Sequence, residues 1–343
     1  MADAKARSGV VCAGAWCIDR NITVDHWPAE ETVARMLSET PQGGCPGHNM
    51  ATALKKLGAV FPIEAIGLIG DDANGRMLTE ICDQHGIDRA QLEVRPGVRT
   101  SETLAMIAKG TGKRSFFYGA GAHAIQTPDG FDFKRTQGRF VHLGLPGLHN
   151  ILDAPWKGDA SGWVTILKAA QAEGLKTNVE LVSIAPEKIR AHAEPMLPYL
   201  DMFIVNDLEV GAVAGLDTVL NGETDVAACR MAAARVLERS KIELVAIHFP
   251  KGGMVLTRDG RVFERPSVRV PQKAIKSSNG AGDAFAAGIL YGVHEGWPLD
   301  RALDLAHASA ASSLRADSTT GSIVPWEECL RLASGWGWRE ALG

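Results

Sequence analysis

The feature that most constrains this chain is a rhythm. Short, nearly continuous apolar runs alternate with segments whose apolar residues recur at helical spacing. The candidate strands are Val10–Ala15, Ile63–Ile69, Phe140–Leu145, Thr177–Leu181, Met202–Val205, Leu244–Phe249 and Met254–Thr257. Runs that are apolar at every position, rather than every second one, suit strands covered on both faces. Between them lie helical patterns over His48–Leu57, Gly75–His85, Gly162–Glu173, Asp207–Ala214, Thr224–Arg239, Ala281–His294 and Asp300–Leu314. Strand and helix in alternation predict an α/β fold: a doubly wound, mostly parallel sheet flanked by helices.

Two stretches depart from that rhythm. Residues from about 21 to 41 and from about 98 to 119 carry alternating polar strands, as in ITVDHW, TLAMIA and KRSFFYG. They suit a small antiparallel β sheet set near the carboxyl edge of the main one, able to act as a lid, or plain surface hairpins. A net charge of −4 in 343 residues gives no electrostatic reason to expect nucleic acid or an anionic membrane. The N-terminus lacks the apolar core of a secretion signal, no run nears the length of a membrane span, and the six cysteines are scattered without a metal-ligand cluster. The expectation is a cytoplasmic protein with reduced thiols. No strand-linked G-x-G-x-x-G stands near the N-terminus, which argues against a dinucleotide oxidoreductase.

The segment richest in chemistry is SSNGAGDAFAAGILYG, residues 277–292. Small residues lead directly into an amphipathic helix, where glycine permits close backbone approach and the first N–H groups lack partners. With the helix dipole they form an anion site. A carboxylate there, Asp283, repels a bare phosphate. It suits a general base that takes a proton from a hydroxyl while the N–H groups hold the phosphoryl being transferred. Taken alone, such a residue is more often a plain helix cap.

GAGDAF, with glycine following at Gly288, resembles the C-terminal signature of the PfkB, ribokinase-like kinases. The resemblance runs on through the chain. Gly67-Leu68-Ile69-Gly70-Asp71-Asp72-Ala73-Asn74-Gly75 matches a second motif, and QGGCPGHNMATALKKLG (42–58) is similar to the substrate loop. VNDLE (205–209) resembles an Asn-x-x-Glu element, and TSETLAMI and GKRSFFYGAGA resemble the lid strands. The resemblance implies a single ribokinase-like domain over 1–343 that transfers the γ-phosphoryl of ATP to a hydroxymethyl oxygen. It implies Asp283 as base and Gly280, Ala281 and Gly282 as anion hole. Asp19, Gly43, Gly44 and Asn49 would bind the acceptor, and Asn206, Gly253, Asn279 and His307 the nucleotide. Glu209 would organise Mg2+ through water. Asn206 and Glu209 also read as a capping box, Asn49 as an early helical polar residue and His307 as a partly buried helix histidine.

The sequence departs from the family pattern in places. Cys45 stands where the second glycine falls four residues before the asparagine, and Ser277 and Ser278 replace the usual Asp-Thr, leaving activation by a monovalent cation open. Pro250 replaces a glycine on the nucleotide side. The acceptor reads as a sugar or sugar-like polyol. The alternatives are an adenosine-type nucleoside, in keeping with Asn279 before GAGD and with Trp16, Trp27, Phe116 and Phe117 as candidate aromatics, and a non-catalytic sugar or nucleotide sensor. In relatives two lids can pack on each other, so a homodimer through the lid is expected as one arrangement.

Overall fold

The computed structural model describes residues 7–111 and 114–342. Residues 1–6, and Gly112 and Lys113 within the expected lid, lie outside the described residues. Five parallel strands form the central sheet in the order Asp88–Arg95, Ile63–Gly70, Val10–Gly14, Phe140–Gly144, Lys176–Val179. The middle strand shows why an unbroken apolar run was needed. Val10 and Cys12 enter one core cluster and Val11 and Ala13 the other, one on each face of the sheet. Asp88–Arg95 is the edge strand. Its sequence, DRAQLEVR, is too polar to show in an apolar scan because only Leu92 is buried along it.

A second sheet, in the order Met202–Asn206, Leu244–Phe249, Gly252–Thr257, Val262–Pro266, continues the first laterally. Its first pair is parallel and the last two pairs are antiparallel. Side chains close the seam between the sheets: the Thr177 N–H donates to the Asp201 carboxylate (2.9 Å) and the Ile204 N–H to Asn178 Oδ1 (3.2 Å). The sheet helices fall close to their predicted bounds, with Pro186–Ala193 and Trp326–Trp336 added. No helix among the described residues is long and apolar enough to cross a membrane.

The lid is a separate four-stranded sheet, ordered Met36–Gly44, Cys17–Val24, Glu102–Ala108, Arg114–Gly119. Both outer pairs are antiparallel hairpin partners, while the central pair runs parallel. The lid is tied down by Asp72, the acid of the second glycine motif. Its carboxylate caps helix Ala73–His85 through the Gly75 N–H (2.8 Å). It also accepts from the Thr100 N–H (2.8 Å) and hydroxyl (2.7 Å) where the chain enters the third lid strand. These bonds hold the Asp72 carboxyl below its usual range against the opposing effect of burial.

Candidate active site

Helix Ala281–His294 begins at Gly280, whose φ of 78° lies in the left-handed region. A Cβ there would stand 2.6 Å from the Thr319 backbone, so this turn closes only on glycine. Further along the same helix, Gly288 and Gly292 admit the backbone of helix Leu299–Ser313 at Ala306 and Ala302, which seats the helix start firmly. Ala281, Gly282 and Asp283 occupy the first turn, where N–H groups have no helical acceptor ahead of them.

The Asp283 carboxyl meets the opposite wall of the cleft. Its Oδ2 accepts from the Asn49 amide at 3.1 Å. The other end of that amide, Oδ1, accepts from the Thr319 hydroxyl (2.9 Å) and lies 3.0 Å from His48 Nδ1. Asn49 is thus buried and fixed, and one turn of helix Cys45–Lys56 is locked onto the start of helix Ala281–His294. Gly43 and Gly44 supply clearance: a side chain at Gly43 would collide with His48, and one at Gly44 with the Asp19 carboxylate. Asp19 lies on lid strand Cys17–Val24, half-buried, with the Cys17 thiol 3.4 Å away. Burial raises its proton affinity, opposed by bonds from Cys17 and Thr103.

Cys45 follows Gly44 with φ of 66°, a left-handed conformation that a side chain disfavours. The position therefore keeps a glycine-like backbone although its residue has changed. Its thiol lies 2.8 Å from the Cys17 thiol, and both cysteines are free.

Asn206 and Glu209 form a complete capping box. Asn206 Oδ1 accepts from the Glu209 N–H (2.8 Å), and Glu209 Oε2 accepts from the Asn206 N–H (3.0 Å). The cap and a place at the cleft are compatible: Asn206, Glu209, Glu180, His248, Gly282 and Asp283 line one cavity of about 170 Å³. Burial pushes the Glu209 carboxyl up to about 7, opposed by its bonds to Asn206. The donor set suits Mg2+ held mainly by water and phosphate. No group of three His, Cys, Asp or Glu among the described residues is arranged to hold a metal directly, while carboxylates surround a space of several waters.

Next to this cavity runs a groove of about 460 Å³. It is lined on one side by Asn206, His248 and Pro250 and on the other by Ala281, Phe285 and His307. Its walls are largely apolar, and the buried His307 Nε2 has no hydrogen-bond partner. Burial holds the His307 imidazole neutral, down to about 3. Gly253 lies beneath it, where a Cβ would come within 3.1 Å of Nε2. Asn279 sits in the loop before Gly280, its N–H bound to the Ser277 hydroxyl (3.0 Å). Arg339 and the ring of Trp338, from the chain's last segment, complete this end of the molecule. Trp338 bridges to Val268 and packs edge-on against His307.

Lid register sorts the candidate aromatics. Asp19 pairs with Gln42 and Thr103, and Thr103 with Tyr118, so these side chains share one face; Phe116, two residues from Tyr118, shares it too. Phe117 points to the other face and stacks on Trp27 at 6.4 Å and 11°. Trp16 is fully buried beneath His48.

The structure therefore joins Asn49 to Asp283 and packs Gly44 against Asp19, and it sets Asp283, Asn206 and Glu209 around one cavity that shares Asn206, His248 and Gly282 with the groove reaching His307. Sequence reading passed over Glu180, His142, Asn178, His248 and Arg339. A signal was available for the first three: polar residues inside or just beyond apolar parallel strands, at the carboxyl ends where such sheets carry their sites.

Residues 7–327 match the family described as pfkB family carbohydrate kinase. A 5-dehydro-2-deoxygluconokinase of Clostridium perfringens is 27% identical over 339 residues, covering 96% of this chain and 93% of that protein. An adenosine kinase of Schizosaccharomyces pombe is 22% identical over 264 residues, covering 74% of each. Among solved structures, Arabidopsis thaliana ribokinase complexed with ribose and ATP superposes with a TM-score of 0.74 at 19% identity, covering 96% of this chain and 99% of the other.

Proposed function

Because this chain belongs to the pfkB family of carbohydrate kinases and is an ATP-dependent kinase, we propose that it phosphorylates a hydroxymethyl group of a small sugar or sugar-like polyol with Asp283 as general base. The observation that supports this reading is the Asp283–Asn49 bond, which joins a carboxylate in the first turn of a helix without a side-chain cap to the helix that follows Gly43 and Gly44. Asp19 offers acceptor oxygens for a pair of hydroxyls, and the absence of a side chain at Gly44 leaves room for its carboxylate.

In the reaction the acceptor hydroxyl gives its proton to Asp283 as its oxygen forms a bond to the γ-phosphorus. The bridging P–O bond breaks and ADP leaves with the electron pair. The N–H groups of the Gly280–Gly282 turn face the charge on the equatorial oxygens, with the Ala281 N–H first released from the Ser278 carbonyl (3.4 Å). Mg2+, when bound, neutralises phosphate charge. Glu209 and Asn206 would orient its waters, their own geometry set by the capping box. The groove ending at His307 takes the adenine, with its unpartnered Nε2 as the available polar contact.

One observation favours a nucleoside acceptor as the second reading: Phe116, 60% exposed, lies on the same lid face as Asp19, where a base could stack. The outer lid face carries Trp27 and Phe117, both exposed, and we propose it as a surface for a homodimer. The expected compartment is the cytoplasm. An ADP-release screen with Mg-ATP across sugars and nucleosides, with Asp283→Asn as blank, tests these readings. Turnover with sugars supports the first, and turnover confined to nucleosides replaces it with the second. No turnover with any acceptor leaves a sugar or nucleotide sensor.

A further inference from the structure

Two polar side chains sit buried on the last two strands of the central sheet, where apolar ones would cost less to bury. His142 on strand Phe140–Gly144 and Asn178 on strand Lys176–Val179 are paired in register, and both are fully buried. Their bonds form a directed series. Asn178 Oδ1 is occupied by the Ile204 N–H (3.2 Å), so its Nδ2 is the end that faces His142 Nδ1, at 2.8 Å. Nδ1 is therefore the acceptor, and the ring proton sits on Nε2, aimed at Glu180 Oε2 at 3.1 Å. Burial keeps this imidazole neutral, down to about 4, so it presents an aimed N–H rather than a mobile charge.

Glu180 stands just past the end of its strand, its N–H bound to the Leu143 carbonyl (2.8 Å). Its side chain keeps 24% of its surface and reaches the cavity that Asp283 lines. There Glu180 and Asp283 line the same small space, and each carboxyl acts on the proton affinity of the other. Two carboxylates side by side repel, which favours one proton between the two acids. Asp283 thus has the Asn49 amide of helix Cys45–Lys56 bonded to it and Glu180, from just beyond a strand of the central sheet, as its neighbour in the cavity.

We propose that Glu180 is a positioning residue for Asp283, its carboxyl aimed by the His142 N–H that Asn178 fixes and in turn holding the Asp283 carboxyl toward the acceptor. This rests on the reading of Asp283 as the base. A base needs a proton affinity near the working pH, and an isolated aspartate is too acidic for that. The titratable groups that act on Asp283 are Glu180, His142 and Cys45, and those that act on Glu180 are Asp283, His142, Glu209 and Cys45. Burial raises the proton affinity of both acids. The Glu180 charge raises that of Asp283 further, while His142 and Asn49 oppose it.

The test is Glu180→Gln. It keeps shape and the His142 bond but replaces the neighbouring acid with an amide that donates to Asp283. Asp283 then becomes more acidic. The acid limb of the kcat/KM profile for the acceptor moves to lower pH by about 1 unit or more, and kcat near pH 7.5 falls on the order of 10-fold as the base weakens. In the unliganded enzyme, 13C NMR of labelled carboxyls reads the same change without turnover: the highest carboxyl titration of the wild type is lost. His142→Leu removes only the aiming N–H and moves the limb in the same direction by less, whereas His142→Gln, which can still donate, restores part of it. A folded Glu180→Gln with its acid limb within about 0.2 unit of wild type overturns the proposal. Should that variant not fold, an unmoved limb in His142→Leu does so instead. An active Asp283→Asn would remove the base itself; an inactive Asp283→Asn beside an unmoved Glu180→Gln limb removes only the positioning role.

Discussion

Asp283 and Asp19 are two acids facing one cleft, yet the protein holds them in different ways. Asp283 stands on the floor, at the start of a helix packed through glycines against its neighbour, with Asn49 bonded to its carboxyl and Glu180 beside it in the cavity. Asp19 stands on the lid, where the Cys17 thiol and Thr103 are its contacts. The lid's own core is small: Ile22, Val24 and Ala108 with a few partly buried neighbours, against the two large clusters that enclose the floor. Under the proposed roles, the reacting geometry belongs to the part with the larger core. The proposed acceptor grip belongs to the part with the fewest buried contacts, where local opening costs least. A cleft that must admit substrate and then exclude water benefits from that division.

The sharpest way to break this comparison is at the floor. Asp283→Asn keeps the Asn49 contact within reach but removes the base, and kcat should fall by on the order of 10²–10⁴-fold with nucleotide affinity retained, measured by ADP release and calorimetry. The matching change on the lid, Asp19→Ala, should act on binding instead, raising the acceptor KM by on the order of 10–100-fold with the KM for ATP little changed. A shift in the ATP term alone would move Asp19 out of the acceptor pocket. The joint between the two parts is Cys45, where the lid strand becomes the helix that carries Asn49. Cys45→Val places a branched side chain at φ 66° and should cost about 2 kcal/mol in urea unfolding, whereas Cys45→Gly suits that backbone.

Smaller effects separate floor from lid by pH. Glu209 and Glu180 have folded-state proton affinities raised by burial to about 7 and about 8. The stability tied to their protonated forms is complete below the unfolded carboxyl range and is lost as pH rises through those values. Glu180→Gln should therefore flatten the decline, with its gain in Tm over wild type larger at pH 8.5 than at pH 5.5. The buried imidazoles His48, His142 and His248, each down to about 4, work in the opposite sense. Their contribution is lost as pH falls from the unfolded histidine range toward 4. On the lid, the Trp27–Phe117 stack predicts a light-scattering mass twice that of the chain, reduced toward monomer in Trp27→Ser with Phe117→Ser.

Some of this was legible in the sequence because it is local. The left-handed start of the GAGD helix, the Asn206–Glu209 cap and the Gly43–His48 contact depend on residues within a few positions of each other, so spacing carries their geometry, whereas the Gly280–Thr319 and Gly44–Asp19 approaches are long-range. The buried strands were legible for a related reason: an element covered on both faces has to be apolar throughout. The edge strand Asp88–Arg95 was not, since half its surface meets water and any polar sequence serves there. Nor could spacing announce the Phe116 and Phe117 faces, which are set by how the lid hairpins align.

The sequence by itself determined that this is a pfkB-type α/β kinase fold and which turn carries its acid, because those features are written in short-range backbone requirements. Only the tertiary structure decided what surrounds that acid. His142, Asn178 and Glu180 come from two strands, Asn49 from a distant helix and Thr319 from a later loop. They meet at Asp283 because sheet register and helix packing bring them there, and no interval along the chain encodes that meeting.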